Sequence, residues 1–499
     1  MNKNTLKYVS TRGAFPEGVS SAYAIKTGLA SDGGLFMPEK IPEIDEVFIN
    51  ELMPLSYTER AARILSLFLT DFSYEELLCD AEAAYSGGKF NPSPAPVTPL
   101  LDNRFMLELW HGPTSAFKDM ALQIMPRLFV RSMEKCGESR EALILVATSG
   151  DTGKAALEGY RDVKNTKIKV FYPIDGVSRV QKMQMQSQEG ENLSVVGIKG
   201  NFDDAQNGVK RIFSDGKIGS ELDAGGVFLS SANSINWGRL VPQVVYYISA
   251  YCDMCRMGAI RLGEKIDVCV PTGNFGNIFA AFIAKLMGTP IGRLVCASNK
   301  NNVLTDFFNT GIYDKNRDFH TTMSPSMDIL ISSNLERLLY TVLGVEKTAG
   351  YMRSLAECGR YELNEADLAE ISHSFVGYCT DEEDCSRTVR EIYENENRLI
   401  DTHTAVAVCA AKRYMSDYKA TSPMLIASTA SAYKFASDVL FSLTDRRPEN
   451  DLDALSMLYE HTGEEIPLPL AEIPNKTPRF TDVIDSSDME ASVLDFALD

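Results

Sequence analysis

The sequence predicts an α/β fold: parallel sheets flanked by helices, with an additional N-terminal domain. Three observations carry that expectation. From about residue 140 one unit recurs, an apolar strand, then a loop of Gly, Ser, Thr and Asn, then a helix. The strand runs are apolar without alternation, which suits strands buried on both faces of a parallel sheet. A proline-rich connection, Asn91-Pro92-Ser93-Pro94-Ala95-Pro96, separates all of this from a first unit of different character.

The first unit, residues 1–95, opens with Tyr8-Val9-Ser10-Thr11-Arg12-Gly13, a short strand into a turn. A hairpin-like loop follows at Gly28 to Pro38, then two helices by periodicity, Tyr57–Leu69 and Tyr74–Ala84. Arg104–Leu109 reads as a strand. It leads into His111-Gly112-Pro113-Thr114-Ser115-Ala116-Phe117-Lys118-Asp119 and a helix from Met120.

The recurring units come next. Ala142–Ala147 leads into Thr148-Ser149-Gly150-Asp151-Thr152-Gly153 and a helix from Lys154. Ile168–Tyr172 leads through Pro173 and Gly176 to a helix at Arg179–Gln188. Leu193–Ile198 leads to a helix for which Asp203 is a plausible cap. Val227–Leu229 leads through Ser231-Ala232-Asn233-Ser234-Ile235-Asn236 to a helix reaching Tyr247. Ile266–Val270 leads into Pro271-Thr272-Gly273-Asn274-Phe275-Gly276-Asn277 and a helix over Ile278–Met287. Near the end Met424–Ile426 leads into Ala427-Ser428-Thr429-Ala430-Ser431 and a helix. In open sheets of this kind ligands bind beyond the carboxyl ends of the strands, so all of these polar loops are expected on one rim. Residues 345–400 read as an acidic, helical, solvated surface. The last fifty residues carry no assigned chemistry. The expected division is 1–95, a catalytic region at 96–440 with a smaller unit at roughly 140–220 nested in it, and a C-terminal extension at 441–499.

At 499 residues there is room for several domains and a large core. A formal net charge of -19 without basic clusters argues against nucleic acid and anionic membrane surfaces as partners. No apolar run reaches the roughly 18 residues that a membrane helix needs, and Met1–Tyr8 lacks the apolar core of a signal peptide. Scattered cysteines inside apolar segments, such as Cys269, Cys296 and Cys409, suit free thiols in a reducing, cytoplasmic setting. The single Cys252-x-x-Cys255 has no second pair at metal spacing, so no metal is expected.

The chemistry centres on Lys118. A lysine at a helix start opposes the dipole, and apolar neighbours such as Phe117 disfavour its charge; both lower its pKa. A neutral amine can attack an aldehyde and form an imine. The same spacing also fits an ordinary surface lysine. Gly273–Asn277 offers backbone N–H groups and a helix N-terminus to an anion, with no basic residue near. Thr148–Gly153 is a second anion-type loop, suited to a carboxylate. It fails the nucleotide-binding P-loop because residue 148 is Thr and residue 155 is Ala. Thr429 can place a hydroxyl against a ring nitrogen. Asn236 and Arg239 share a helix face, and Arg239 and Lys434 can meet a phosphate. Each loop, taken singly, also fits a turn that holds nothing.

Taken together and in order, these segments resemble threonine synthase, in the branch with an extra N-terminal domain, whose Ser-Thr-Arg-Gly opening appears here as Ser10-Thr11-Arg12-Gly13. The resemblance implies a pyridoxal-phosphate enzyme of fold type II, tryptophan synthase β-like. It implies that Lys118 carries the cofactor, beside Phe117, and that Gly273, Asn274, Phe275, Gly276 and Asn277 hold its phosphate. Thr429 then faces the pyridine nitrogen. Thr148, Ser149, Gly150, Asp151, Thr152 and Gly153 take the substrate carboxylate, with Asn236, Arg239 and Lys434 as further substrate contacts. The implied reaction is O-phospho-L-homoserine to L-threonine and phosphate, on a monomer or homodimer. A serine or threonine dehydratase, or a relative that binds cofactor or a phosphorylated ligand without turnover, is the alternative. One departure stands out: many members have histidine where this chain has Ser431, while Thr402-His403-Thr404-Ala405 keeps a histidine nearby.

Overall fold

The computed structural model describes residues 5–148, 150–175 and 177–499, without the side chains of residues 202 and 203. Ser149, Gly176 and the Asp203 side chain therefore lie outside the described residues. The cap of that helix is Asn201, whose side chain accepts from the N–H of Asp204.

The N-terminal unit forms as its local signals dictate. Helices Tyr57–Phe68 and Tyr74–Tyr85 each start with a reciprocal capping box, Ser56 with Glu59 and Ser73 with Glu76. The expected hairpin-like loop is instead a connection out of the helix Ser21–Thr27, closed at Gly28 with φ 77°. It feeds the strand Phe36–Pro38, which pairs antiparallel with Tyr8–Ser10. The unit is bolted to the rest by buried groups. Tyr8 and Phe68 pack against Trp237. Arg60 donates to Leu52 O at 2.9 Å and reaches Ser249 Oγ and Asp253 at 2.8 Å on the long helix Trp237–Arg256. Thr11 and Arg12 both bond Glu336, at 2.6 and 2.7 Å.

Two sheets carry the rest. The larger runs Phe375–Cys379, Ile291–Ser298, Ile266–Pro271, Met424–Ser428, Arg104–Glu108, Val97–Leu100, parallel except at its last pair. The smaller is parallel throughout: Val483–Asp485, Leu193–Lys199, Thr166–Pro173, Glu141–Ala147, Val227–Ser230. The strands Glu141–Ala147, Thr166–Pro173, Ile266–Pro271 and Met424–Ser428 are buried on both faces over most of their length, as the unalternating apolar runs require.

The differences from expectation are local. The smaller sheet extends to residue 230 and takes its edge strand from the C-terminal extension, whose final helix Met489–Leu498 packs on the helices Phe202–Ser214 and Gly216–Ala224. The acidic stretch contains a buried strand, Phe375–Cys379, between its helices. The helix Asp151–Tyr160 starts three residues early. Gly159 on it faces Leu122, where a Cβ would stand 1.9 Å from the carbonyl oxygen. That close approach lets this helix press against the segment carrying Lys118. No described helix is long and apolar enough to cross a membrane.

Candidate active site

The Lys118 turn and the loops after Glu141–Ala147, Val227–Ser230, Ile266–Pro271 and Met424–Ser428 gather around one cavity, whereas Pro173 and Gly200 do not line it. The cavity, of about 820 Å³ between the two sheets, is walled by Lys118, Thr148, Asp151, Arg239, Gly273–Asn277 and Thr429 among others, with Thr27 to Gly33 contributed by the N-terminal unit.

The Lys118 turn is fixed by a short antiparallel bridge between Ala116 and Ala430. Phe117 N–H donates to Thr429 O at 2.8 Å, and Ser431 N–H to Ser115 O at 3.1 Å. Lys118 and Thr429 are thereby brought to one wall. Ser115 accepts a left-handed backbone, φ 57°, to make this turn. Asp119 closes it, accepting from the N–H and hydroxyl of Thr114 at 2.8 and 2.7 Å.

Lys118 is 8% exposed, with Nζ 4.9 Å from the Phe117 ring centroid and 3.1 Å from Asp151 Oδ2. Its pKa is lowered, but burial is the main cause. Asp151 opposes the shift, and the charges of Lys434 and Arg239 add to it. The helix dipole expected from sequence is not the reason: the helix at Asp119–Leu122 has only four residues. Burial pushes the Asp151 carboxyl up, yet Lys118 and Lys434 outweigh it and hold the group well below the usual carboxylate range.

Within the 148–153 loop, Thr148, Asp151 and Thr152 wall the cavity. Thr148 Oγ1 is spent inside the loop, accepting from Gly150 and Gly153 N–H at 3.0 and 2.9 Å. Gly150 and Gly153 pack against Gln181, Met185 and Val170 rather than walling the cavity. Asp151, with Thr152 beside it, presents a carboxylate that pairs with cations. Lys154 turns away toward Glu158 and Gln188, which disposes of the P-loop comparison.

Two predicted substrate contacts do not reach the cavity. Asn236 is a helix cap: its Oδ1 accepts from Gly238 N–H, and its amide donates to Ile25 O at 2.9 Å. Lys434 is wholly buried and paired with Asp151 at 2.8 Å, donating also to Thr114 O and Gln184. Arg239 does reach it. It donates to Ala232 O at 2.9 Å and lies 3.4 Å from the Thr152 hydroxyl. Burial pulls its pKa down to about 10, so it stays charged near neutrality. Among the described residues no carboxylate pairs with it.

The loop Gly273–Asn277 has the features of an anion cradle. The helix Gly276–Met287 has no side-chain cap, and its N-cap Phe275 is left-handed at φ 63°. Phe275 holds that conformation by packing on Phe308 and Phe375. Asn334 fixes the loop by donating to Asn274 O at 2.8 Å. Asn277 Oδ1 accepts from Tyr246 and Tyr247, while its Nδ2 is buried with no partner. An orphaned donor and an uncapped helix start, lining the cavity that Lys118 also lines, fit a phosphate-bearing aldehyde cofactor. At Gly273 a Cβ would stand 2.7 Å from Ser326 O. Gly273→Ala is therefore expected to weaken cofactor binding roughly tenfold, read by titrating cofactor-stripped protein and following absorbance.

Sequence reasoning passed over Ser326 and left His403 without a role. Both wall the cavity, and they touch across 77 residues of chain: Ser326 N–H donates to His403 Nε2 at 3.1 Å. Ser431, in place of the common histidine, is used as a cap, its side chain accepting from Tyr433 N–H at 3.3 Å. Cys252 and Cys255 lie on the long helix, and no group of side chains suited to a metal exists among the described residues.

Comparison with known proteins agrees with this geometry. Residues 7–85 match the family described as threonine synthase N terminus, and residues 102–429 the pyridoxal-phosphate dependent enzyme family. The proline-rich stretch falls between the two. The chain is 35% identical to threonine synthase of Saccharomyces cerevisiae, over 87% of this chain and 88% of that one. It is 42% identical to threonine synthase-like 1 of Homo sapiens over 87% of its own length, but spans only 60% of that protein. Its structure matches that of PLP-bound threonine synthase from Brucella melitensis with a TM-score of 0.86 and 34% identity, covering 99% of each chain.

Proposed function

Because the chain belongs to the threonine synthase family of pyridoxal-phosphate-dependent enzymes, we propose that it converts O-phospho-L-homoserine and water into L-threonine and phosphate. The observation that carries this reading is Arg239. A buried guanidinium without a carboxylate partner is costly, and an anionic ligand offsets that cost. The cofactor's phosphate has its own cradle at Gly273–Asn277, so Arg239 supplies a second anion site. A phosphorylated amino acid needs two substrate anion sites, one for its α-carboxylate, assigned to the Thr148–Gly153 loop, and one for its phosphate; serine and threonine, the substrates of a dehydratase, carry only the carboxylate and need one.

When bound, pyridoxal phosphate supplies an electron sink for the charge that develops at the substrate Cα. The chain does the rest. Lys118 would hold the cofactor through its aldehyde and, as a free amine, would be the base that takes and returns protons at Cα and Cβ. Its burial keeps the amine easily deprotonated, and Asp151 holds it in place between proton transfers. Thr429, which lines the cavity, would offer a hydroxyl to the ring nitrogen; a hydroxyl would leave that nitrogen largely without charge, unlike a carboxylate partner. Arg239 binds the leaving phosphate. Asp151 and Lys434 stay paired behind Lys118 and keep that wall electrically balanced.

The test is direct. Purified protein offered O-phospho-L-homoserine is expected to release phosphate and L-threonine in equal amounts. Ammonia from serine or threonine, with phosphohomoserine untouched, would make it a dehydratase. A cofactor spectrum without any phosphate release would make it a binding relative.

A further inference from the structure

We propose that the buried Asp401–His403 pair positions Lys118, acting through Ser326 and Asp151. The inference rests on Lys118 carrying the cofactor. Asp401 is fully buried at the start of the helix Thr402–Tyr418. Its Oδ1 lies 2.9 Å from His403 Nδ1. The other ring nitrogen, Nε2, accepts from Ser326 N–H, so the hydrogen-bond network puts the proton on Nδ1, facing Asp401. With Nε2 committed to a backbone donor, His403 has no free proton to exchange with a substrate. It is a positioning residue rather than a catalytic one.

What it positions is Ser326. The Ser326 hydroxyl donates to Asp151 Oδ2 at 3.2 Å, and Lys118 Nζ lies 3.1 Å from the same oxygen. The two donors compete for one acceptor. The backbones of Gly273 and Ser326 run close, a Cβ on Gly273 standing 2.7 Å from Ser326 O. Further along, the turn is anchored at Asp328, which accepts from Thr322 N–H and from the amides of Asn299 and Asn301. His403 therefore sets where the Ser326 hydroxyl falls.

Asp401 has a second arm. Its Oδ2 accepts from the Thr404 hydroxyl, which lies 3.1 Å from Ser428 Oγ, one residue before Thr429. One carboxylate thus aligns both the Ser326 turn and the strand end that carries Thr429.

The surrounding charges are few. Lys118 feels Asp151, Lys434 and Arg239. His403 faces Asp401 at the start of its own helix, has Asp328 and Asp438 as the nearby carboxylates, and packs with its ring tilted at 4.6 Å from that of Phe435.

The experiment follows the visible absorbance of the bound cofactor against pH, in the holoenzyme and in Ser326→Ala, His403→Ala, His403→Gln and the double alanine variant. Without Ser326, Asp151 Oδ2 serves the lysine nitrogen alone and favours its protonated form. Both single alanine variants are expected to move the midpoint upward by about one unit. They lower kcat about tenfold with KM little changed. The double variant adds nothing further, because the residues act in series. His403→Gln, which keeps an acceptor for Ser326 N–H, restores most of the wild-type midpoint. A His403→Ala midpoint that stays put while Ser326→Ala moves, or shifts that add in the double variant, overturns the inference. If His403→Ala does not fold, a His403→Gln midpoint no nearer to wild type than that of Ser326→Ala overturns it as well. A wild-type band that survives in Lys118→Ala refutes the assignment of the lysine instead.

Discussion

Lys118→Ala is expected to lose at least about a thousandfold in kcat while keeping its fold. The first half follows from the two tasks given to one amine, tether and base. The second follows from its surroundings. Asp151 keeps Lys434, Gln181 and Ser326 as partners when Lys118 is gone, so no buried carboxylate is left unpaired. Removing a buried amine whose charged form is disfavoured also relieves a desolvation cost. Steady-state phosphate release measures the loss. Borohydride reduction followed by intact mass shows whether cofactor still attaches. Turnover near the wild-type level, or reductive attachment of cofactor to the alanine variant, would remove Lys118 from the centre of the site.

Arg239→Met is expected to raise KM for phosphohomoserine about a hundredfold, the worth of a charge-assisted contact to phosphate. The same change is expected to leave the melting temperature of the substrate-free protein equal to or above that of wild type. The opposite signs are the point. A guanidinium without a carboxylate partner lowers stability in the absence of ligand, and an apolar chain of similar length removes that cost. A residue with a purely structural role would give the reverse, lower thermal stability with KM intact. That outcome would take away the second anion site and with it the main ground for preferring a phosphorylated substrate.

Several parts of this architecture were legible because they are local. Gly273–Asn277 announces itself by a glycine-bearing turn between an apolar strand and an apolar helix, and the helix start falls within two residues of expectation. Helix starts at Ser56 and Ser73 are written as capping boxes. Other parts depend on distant partners. Nothing near Lys434 says that its charge is spent on Asp151, nearly three hundred residues away, rather than on a ligand. Arg239 and Lys434 are alike in sequence terms, and only the position of one buried carboxylate separates their roles. Asn236 was placed on the correct helix start, but a cap and a ligand contact call for the same residue type at the same position. Ser326 sits in a stretch without periodicity, and its partner His403 lies beyond an acidic region that hides a strand. The wrong cause given for the lysine's pKa has the same origin, since burial is a property of the whole fold.

The order of strands in the larger sheet also constrains how the protein is made. Met424–Ser428 lies between Ile266–Pro271 and Arg104–Glu108. A nascent chain that has emerged only as far as residue 420 has both neighbours but not the strand that joins them. Until that strand arrives, the lysine turn has nothing to bridge and the half-made sheet shows two unpaired edges. Such edges invite pairing with other chains, so translation between residues 271 and 424 is the interval in which chaperone cover is expected to matter most.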